Sequence, residues 1–211
     1  MPVSTIRPVQ CKGCGYKQSI WDVRLINVQK SPKLKNKLLQ GKLFPMRCKQ
    51  CGEILEQAQH CIYMDPKQAL FIELCAPGES IKLPEIQENW AKHGGGTFRL
   101  VRTAEELQEK IRIFDCELDD RVVEVIRVLM TAQLEDQSPG LMEGQPVFSV
   151  DKAGPQLICA CTDESERVCP ISQPLYERVQ RQYLKSKAAQ EETMIVDSAW
   201  VYRILVQSGK V

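Results

Sequence analysis

The sequence predicts an α+β fold: a small, zinc-ribbon-like β domain with a helical insert, followed by an α+β C-terminal region. Two Cys-x-x-Cys-Gly segments, residues 11–15 and 48–52, are the first observation behind this prediction. Alternating apolar and polar residues around them are typical of strands. Amphipathic stretches with capping residues follow residue 102 and indicate helices. We call the two cysteine segments the first and second knuckle.

The region around the knuckles is predicted to be mostly strand. Alternation predicts strands at residues 20–28, 54–63 and 70–74, the last two joined by a turn at residues 64–67. Between the knuckles, Ser31 and Pro32 are typical of a helix start, and Gly41 of a helix end. The helical insert therefore lies between residues 31 and 41, and it interrupts the β domain.

Helices dominate the next part of the chain. Residues 98–102 predict a short strand, and Thr103 with Glu106 forms a capping-box pattern that starts a helix. A second helix begins near Asp119 and Asp120, whose acidic side chains suit a helix N-terminus and are expected to be solvated there. The turn-rich segment 138–145 is the predicted boundary between domains 1–137 and 138–211. Beyond it we expect a hairpin at residues 147–162 and helices at 174–188 and from Asp197.

The two knuckles predict a metal site. A two-residue spacer lets both sulfurs of a pair face one point, and the following Gly permits a strained backbone that curls around them. The predicted ligands are Cys11, Cys14, Cys48 and Cys51. Four thiolates form a closed tetrahedral set for structural zinc, and iron in a rubredoxin-like site is the less favoured alternative. A closed set leaves no position for water or substrate, so the metal is expected to hold structure.

Composition is that of a globular protein, with 43% hydrophobic and 26% charged residues. No uncharged apolar run approaches the ~20 residues that span a bilayer, so no membrane association is expected. The first ten residues also lack the apolar stretch of a signal peptide. The sequence therefore predicts a cytoplasmic protein, whose ten cysteines are thiols and metal ligands.

Charge is unevenly distributed along the chain. Residues 1–60 contain 11 Lys and Arg against 3 Asp and Glu, whereas the remainder contains 17 against 24. Nucleic-acid contact through basic residues 1–60 is one interpretation. Base-stacking aromatics are scarce there, however, and Trp21 and Phe44 lie in apolar contexts that predict core positions. The favoured interpretation is that the two oppositely charged halves complement each other or that the lysines are solvated. An acidic protein partner explains the same charges if nucleic acid does not bind.

Several segments resemble the bacterial CpXC-domain family. They are the second knuckle, residues 31–35 and 39–44 before it, and residues 63–66, 109–114 and 118–121 after it. The resemblance covers residues 8–130, and it implies a metal-binding fold without a particular activity. Lys12 and Lys49 stand where the family usually has Pro, which removes no sulfur. Met64 stands where His is expected, which argues against a catalytic His at that position.

Other groups of reactive residues carry weaker signals. Cys159, Cys161 and Cys169 could form a second metal site, but they lack an obvious fourth ligand. His93 precedes three glycines, a pattern shared with hydrolase oxyanion loops, but the nucleophile elbow those enzymes need is absent. An acid cluster is the best enzymatic alternative, since carboxylates one helical turn apart can share a divalent ion. It comprises Asp115, Asp119, Asp120 and Glu124.

The function predicted from the sequence is a cytosolic protein with one structural zinc, acting as a non-catalytic protein-interaction module with an unknown protein partner. A nucleic-acid-binding zinc ribbon is the first alternative. A hydrolase that uses the acid cluster is a less favoured one, so enzymatic activity is not expected.

Overall fold

The computed structural model describes residues 4–56, 60–75, 95–186, 189 and 193–207. The chain divides into two compact units, Met1–Gln108 and Glu109–Val211. We call them the N-terminal and C-terminal units and describe each by itself. Both contain helices and strands, which confirms the predicted α+β class.

Two hairpins in the N-terminal unit carry the knuckles. Strands β1 (Ser4–Gln10) and β2 (Lys17–Val23) pair antiparallel, and the first knuckle is their connection. Strands β4 (Met46–Arg47) and β5 (Ile54–Glu56) pair in the same way around the second knuckle. Each Cys-x-x-Cys-Gly segment is thus a hairpin turn, because its Gly supplies the positive φ angle that the turn requires.

A four-stranded mixed sheet forms the core of the N-terminal unit. Its strands, in spatial order, are β3 (Leu25–Asn27), β6 (His60–Asp65), β7 (Leu70–Cys75) and β8 (Thr97–Val101). The β6–β7 pair is antiparallel, and the two outer pairs are parallel. Every residue of β7 is buried, as expected for a central strand covered on both faces. The β6–β7 connection is the short 3₁₀ turn Pro66–Gln68, capped by the Asp65 side chain.

Two helices were predicted in this region, and both are present. Helix α1 (Pro32–Leu39) begins at a proline, buries Leu38 and ends before Gly41, whose φ is +65°. Helix α2 (Ala104–Asp115) begins after Thr103, whose Oγ1 accepts a hydrogen bond from the Glu106 amide at 3.1 Å. The division between the units falls within α2. His93, which precedes the three glycines, lies outside the described residues.

The C-terminal unit combines a three-stranded antiparallel sheet with helices. Its sheet has the order β11-β10-β9. The elements are α3 (Asp120–Gln137), β9 (Val147–Asp151), β10 (Gly154–Ala160), β11 (Glu166–Pro170), α4 (Gln173–Tyr183) and α5 (Ser198–Gln207). Asp197 caps α5 through its carboxylate, as predicted. Asp119, expected within the first turn of α3, is the residue that caps this helix. Strand β11 was not predicted.

One hydrophobic core joins α3 to the elements on the far side of the turn-rich segment 138–145. Val122 and Ile126 of α3 belong to the same buried cluster as Leu157 of β10 and Trp200 of α5. The predicted boundary after residue 137 therefore lies inside the C-terminal unit. Turn residues mark a change of chain direction, but they do not show which elements share a core.

The expectation that Asp119 and Asp120 are both solvated is wrong for Asp120, which is completely buried. Its Oδ2 accepts a hydrogen bond from Nζ of the buried Lys110 at 2.8 Å. The Asp119 carboxylate is partly exposed and pairs with Arg121. Among the described residues, no helix has the length and apolar character needed to cross a membrane.

Candidate metal centre

The backbones of the two knuckles have the same hydrogen-bond pattern. The amide of the first cysteine donates to the carbonyl five residues later, Cys11 to Tyr16 at 2.9 Å and Cys48 to Glu53 at 2.8 Å. The amide of each trailing glycine donates back to that first cysteine's carbonyl at 2.9 Å. Gly15 and Gly52 have φ angles of +73° and +77°, which L-residues rarely adopt. The repeated motif thus produces two equivalent loops.

The four predicted ligands converge. All four Sγ atoms lie within 4.8 Å of one another, and the cross-knuckle pairs Cys11–Cys51 and Cys14–Cys48 are both 3.6 Å apart. A tetrahedral ion with bonds of about 2.3 Å to sulfur needs sulfur atoms roughly 3.8 Å apart. The arrangement therefore fits a four-coordinate metal with little adjustment.

The backbone favours negative charge on the sulfurs. The amide of Cys51, followed by that of Gln50, lowers the pKa of the Cys48 thiol to about 7, although burial opposes the shift. The Cys14 amide, with that of Gly13, acts in the same way on Cys11. There, burial and the contact with the Cys51 thiol outweigh it, and the pKa is raised. Since thiolates are the metal-binding form, amides aimed at sulfur support a metal centre.

One side of the centre is open to solvent. Cys11 and Cys48 are buried, whereas Cys14 and Cys51 are exposed. Donors of one soft type suit zinc or iron rather than magnesium or calcium, which prefer oxygen.

Gln18 ties the two hairpins together, a role that the sequence analysis missed. Its Nε2 donates to the Arg47 carbonyl at 3.2 Å, and its Oε1 accepts from the Lys49 amide at 2.9 Å. The amide of this β2 residue thus bridges the backbone on both sides of Cys48. Its position in β2, facing the second knuckle, could not be inferred from local alternation.

Glu53 is a second neighbour that the sequence did not indicate. Its Oε2 lies 3.4 Å from Cys11 Sγ, and its carboxylate covers Gly13 so closely that a Cβ at this position would overlap it. A larger residue in the spacer of the first knuckle would require the Glu53 carboxylate to move. A carboxylate there adds negative charge beside a thiolate centre.

The other proposed metal cluster is not assembled. Among the described residues, the four knuckle cysteines are the one group of His, Cys, Asp or Glu side chains placed to hold a metal ion. Cys159 and Cys161 are buried in the C-terminal unit, and Cys169 is half-buried against its core. Cys169 lies opposite Leu157 in the β10–β11 pair, while Cys159 lies opposite Arg167. These three cysteines are therefore described as thiols of strands and of the hydrophobic core.

The acid cluster is divided among different partners. Asp119 pairs with Arg121, Asp120 with Lys110, and Glu124 with Arg127 at 3.2 Å. Burial raises the pKa of Glu124, while Arg127 acts in the opposite direction. Asp115 lines a separate groove. Within the part of the chain that is described, these carboxylates do not form a shared metal site.

The fold and the four-sulfur site define an α+β protein with a paired-hairpin cysteine centre, compatible with a zinc-ribbon-like knot. The family model described as CpXC protein matches residues 9–127, and the chain belongs to this family. The match includes both knuckles and ends within α3. No curated protein and no solved structure matches the chain.

Proposed function

We propose that Cys11, Cys14, Cys48 and Cys51 hold one structural zinc ion, and that the centre supports a non-catalytic protein-interaction module in the cytoplasm. The convergence of four sulfurs from two hairpins within 4.8 Å is the observation that carries this proposal. Zinc is preferred to iron because closed four-cysteine sites are most often structural zinc sites.

The donor set supports a structural rather than a catalytic role. Four thiolates complete a tetrahedral shell, and zinc that activates water keeps one position open. The hairpin around the second knuckle is short: β4 has two residues and β5 has three. Such a small hairpin cannot be stable alone, so metal binding supplies part of its folding free energy.

Metal analysis of protein purified under reducing conditions tests the proposal. We expect one zinc per chain by elemental analysis. Cys51→Ser should lose the metal and the structure of the N-terminal unit, whereas Cys116→Ser, which removes a half-buried thiol elsewhere, should keep both. A folded, metal-free preparation would refute the proposal. Iron with a thiolate charge-transfer colour would redirect it to electron transfer.

Nucleic-acid binding is a second candidate, because the basic half of the chain exposes an aromatic side chain. Trp21, expected in the core, has 58% of its surface exposed, whereas Phe44 is buried as predicted. Trp21 therefore offers a stacking surface in the basic half of the chain. The candidate phosphate contacts are Arg7, Lys12, Lys17, Arg47 and Lys49. Retention on single- or double-stranded oligonucleotides that falls steeply with salt would support this function, and no retention at low salt would exclude it.

A further inference from the structure

A groove of about 530 Å³ lies beside the second knuckle in the N-terminal unit. Strand β2 lines it with Trp21, helix α1 with Leu34 and Lys37, and the α1–β4 connection with Lys42. Arg47 and Lys49, on either side of Cys48, complete its basic wall. We call this site the basic groove. Its size is within the usual range for ligand pockets, about 300–1,000 Å³.

The charge of the basic groove has one sign. Lys37, Lys42, Arg47 and Lys49 line it, and no acidic side chain does so among the described lining residues. All four are exposed, so their charges face solvent. Like charges placed around one concavity repel one another and attract an anionic ligand. The arrangement therefore favours a partner with several negative charges.

The floor of the basic groove is apolar. Leu34, Leu43, Pro45 and Met46 contribute aliphatic surface, and Trp21 adds an exposed indole. Trp21 lies opposite Ile6 in the β1–β2 pair, and Ile6 is 64% exposed. Directly opposed residues of an antiparallel pair share one face, so a second apolar side chain lies next to Trp21. A contiguous exposed apolar surface of this kind is typical of a protein-binding site.

The groove runs along the backbone of β2. Four consecutive residues of this strand, from Gln18 to Trp21, line it. Because successive side chains of a strand point to opposite faces, four consecutive lining residues place the strand's edge beside the groove. Within the described residues β2 pairs with β1 alone, so its other edge has no strand partner. An extended peptide can add to such an edge.

We infer that the basic groove binds an extended acidic peptide segment in which carboxylates alternate with apolar side chains. The carboxylates face the lysines, and the apolar side chains contact the floor and Trp21. A single-stranded nucleic acid fits less well, because successive bases need several stacking surfaces and Trp21 is the one aromatic residue among the described lining residues. The inference gives the proposed interaction module a partner class, and it rests on that proposal because Gln18 and the second knuckle form part of the wall.

The test is fluorescence anisotropy with the zinc-loaded protein and a labelled 12-residue peptide of alternating glutamate and leucine. The same peptide with lysine in place of glutamate, and a mixed-sequence 12-nucleotide single strand, are the comparison probes. We expect the acidic peptide to bind and the lysine peptide not to bind. Binding should weaken as salt is raised, because exposed charges are screened.

Two lysines of the same helix provide a matched pair of variants. Lys37 lines the groove and Lys33 does not, yet both are exposed residues of α1. Lys37→Glu should weaken peptide binding about tenfold, because repulsion replaces attraction at the groove wall. Lys33→Glu should weaken it less than about threefold, since its charge is more distant and screened. Trp21→Ala should weaken binding about tenfold through lost apolar contact.

Equal effects of the two lysine variants, or no binding of the acidic peptide by folded zinc-loaded protein, would overturn the inference while leaving the metal module intact. Tighter binding of the oligonucleotide, sensitive to Lys37→Glu and Trp21→Ala, would assign the groove to nucleic acid. Zinc content and thermal midpoint are measured for every variant. Protein that folds without zinc refutes the metal proposal itself, whatever the peptide does. If Trp21→Ala fails to fold, the lysine pair alone decides.

Discussion

Replacing Asp120 with Asn tests the buried ion pair between α2 and α3. Lys110 Nζ lies 2.8 Å from Asp120 Oδ2, and the two side chains are 9% and 0% exposed. The ammonium group also donates to the carbonyl of Val196 at 3.1 Å. Asn keeps the shape of the side chain but removes its charge. The Lys110 ammonium group would then stay buried while the Asp120 side chain no longer carries the charge that pairs with it.

The expected loss of stability is large. Removing one partner from a buried ion pair costs about 3–5 kcal/mol, because the remaining charge is desolvated without compensation. A domain of this size is stable by about 5–15 kcal/mol in total. The neighbouring Asp119→Asn is the matched control. Asp119 is partly exposed and caps α3, and Asn caps helices almost as well, so its loss should be below about 1 kcal/mol.

Urea unfolding followed by tryptophan fluorescence measures both losses. Trp200 is 3% exposed within the C-terminal core, and replacing Trp21 and Trp90 by Phe leaves it as the only reporter. With a slope of about 1–3 kcal/mol per M, Asp120→Asn should lower the midpoint by at least about 1 M. Adding Lys110→Met should cost less than the sum of the single changes, since it removes the stranded charge.

A loss below about 1 kcal/mol for Asp120→Asn, equal to that of Asp119→Asn, would contradict the buried pair. It would instead fit the simple sequence-based view, in which both acids only complement the helix dipole. Hydrolase activity abolished by Asp120→Asn with the fold intact would restore the enzymatic alternative.

Three further predictions concern the N-terminal unit. Gln18→Ala removes two hydrogen bonds to the second knuckle. It should weaken zinc affinity by about 10- to 100-fold, measured by competition with a chelator. Gly96→Ala should destabilise the protein by more than about 2 kcal/mol in thermal unfolding, because its φ is +117° and a Cβ would overlap the Ala69 carbonyl. The control Gly41→Ala, which has open space at a φ of +65°, should cost about 1 kcal/mol. Burial raises the pKa of the Cys61 thiol to about 12, so native protein should resist alkylation by iodoacetamide at Cys61 near pH 8. In the unfolded chain this thiol ionises near its ordinary pKa of 9.0, so the free energy of unfolding should fall as the pH rises above about 9. Rapid Cys61 alkylation in folded protein, read by mass spectrometry, would contradict that burial.

The knuckles were predictable from sequence because their structure is local. Each motif contains two sulfurs, a two-residue spacer and a glycine for the positive φ angle, so the chain segment specifies its own loop. The number of sulfurs then predicted their convergence. Caps at Thr103 and Asp197 were also predictable, since each acts within the first helical turn.

Features that depend on distant partners were not predictable in this way. Trp21 was expected in the core because it stands among apolar residues, yet alternation does not show which face of a two-stranded hairpin is covered. Strand β11 contains charged and exposed residues, and pairing with β10 is what makes it a strand.

The sequence by itself determined the two cysteine loops, most of the helices and the α+β class, because these follow from short-range spacing and periodicity. Tertiary structure alone decided the environment of each polar side chain. Asp120 is buried where Lys110 of another helix pairs with it, and the Lys110 ammonium group also donates to the Val196 carbonyl. Gln18 bridges a knuckle that lies about thirty residues away in sequence. The energy of a polar group depends on what desolvates it and what pairs with it, and those partners come together only in the folded chain.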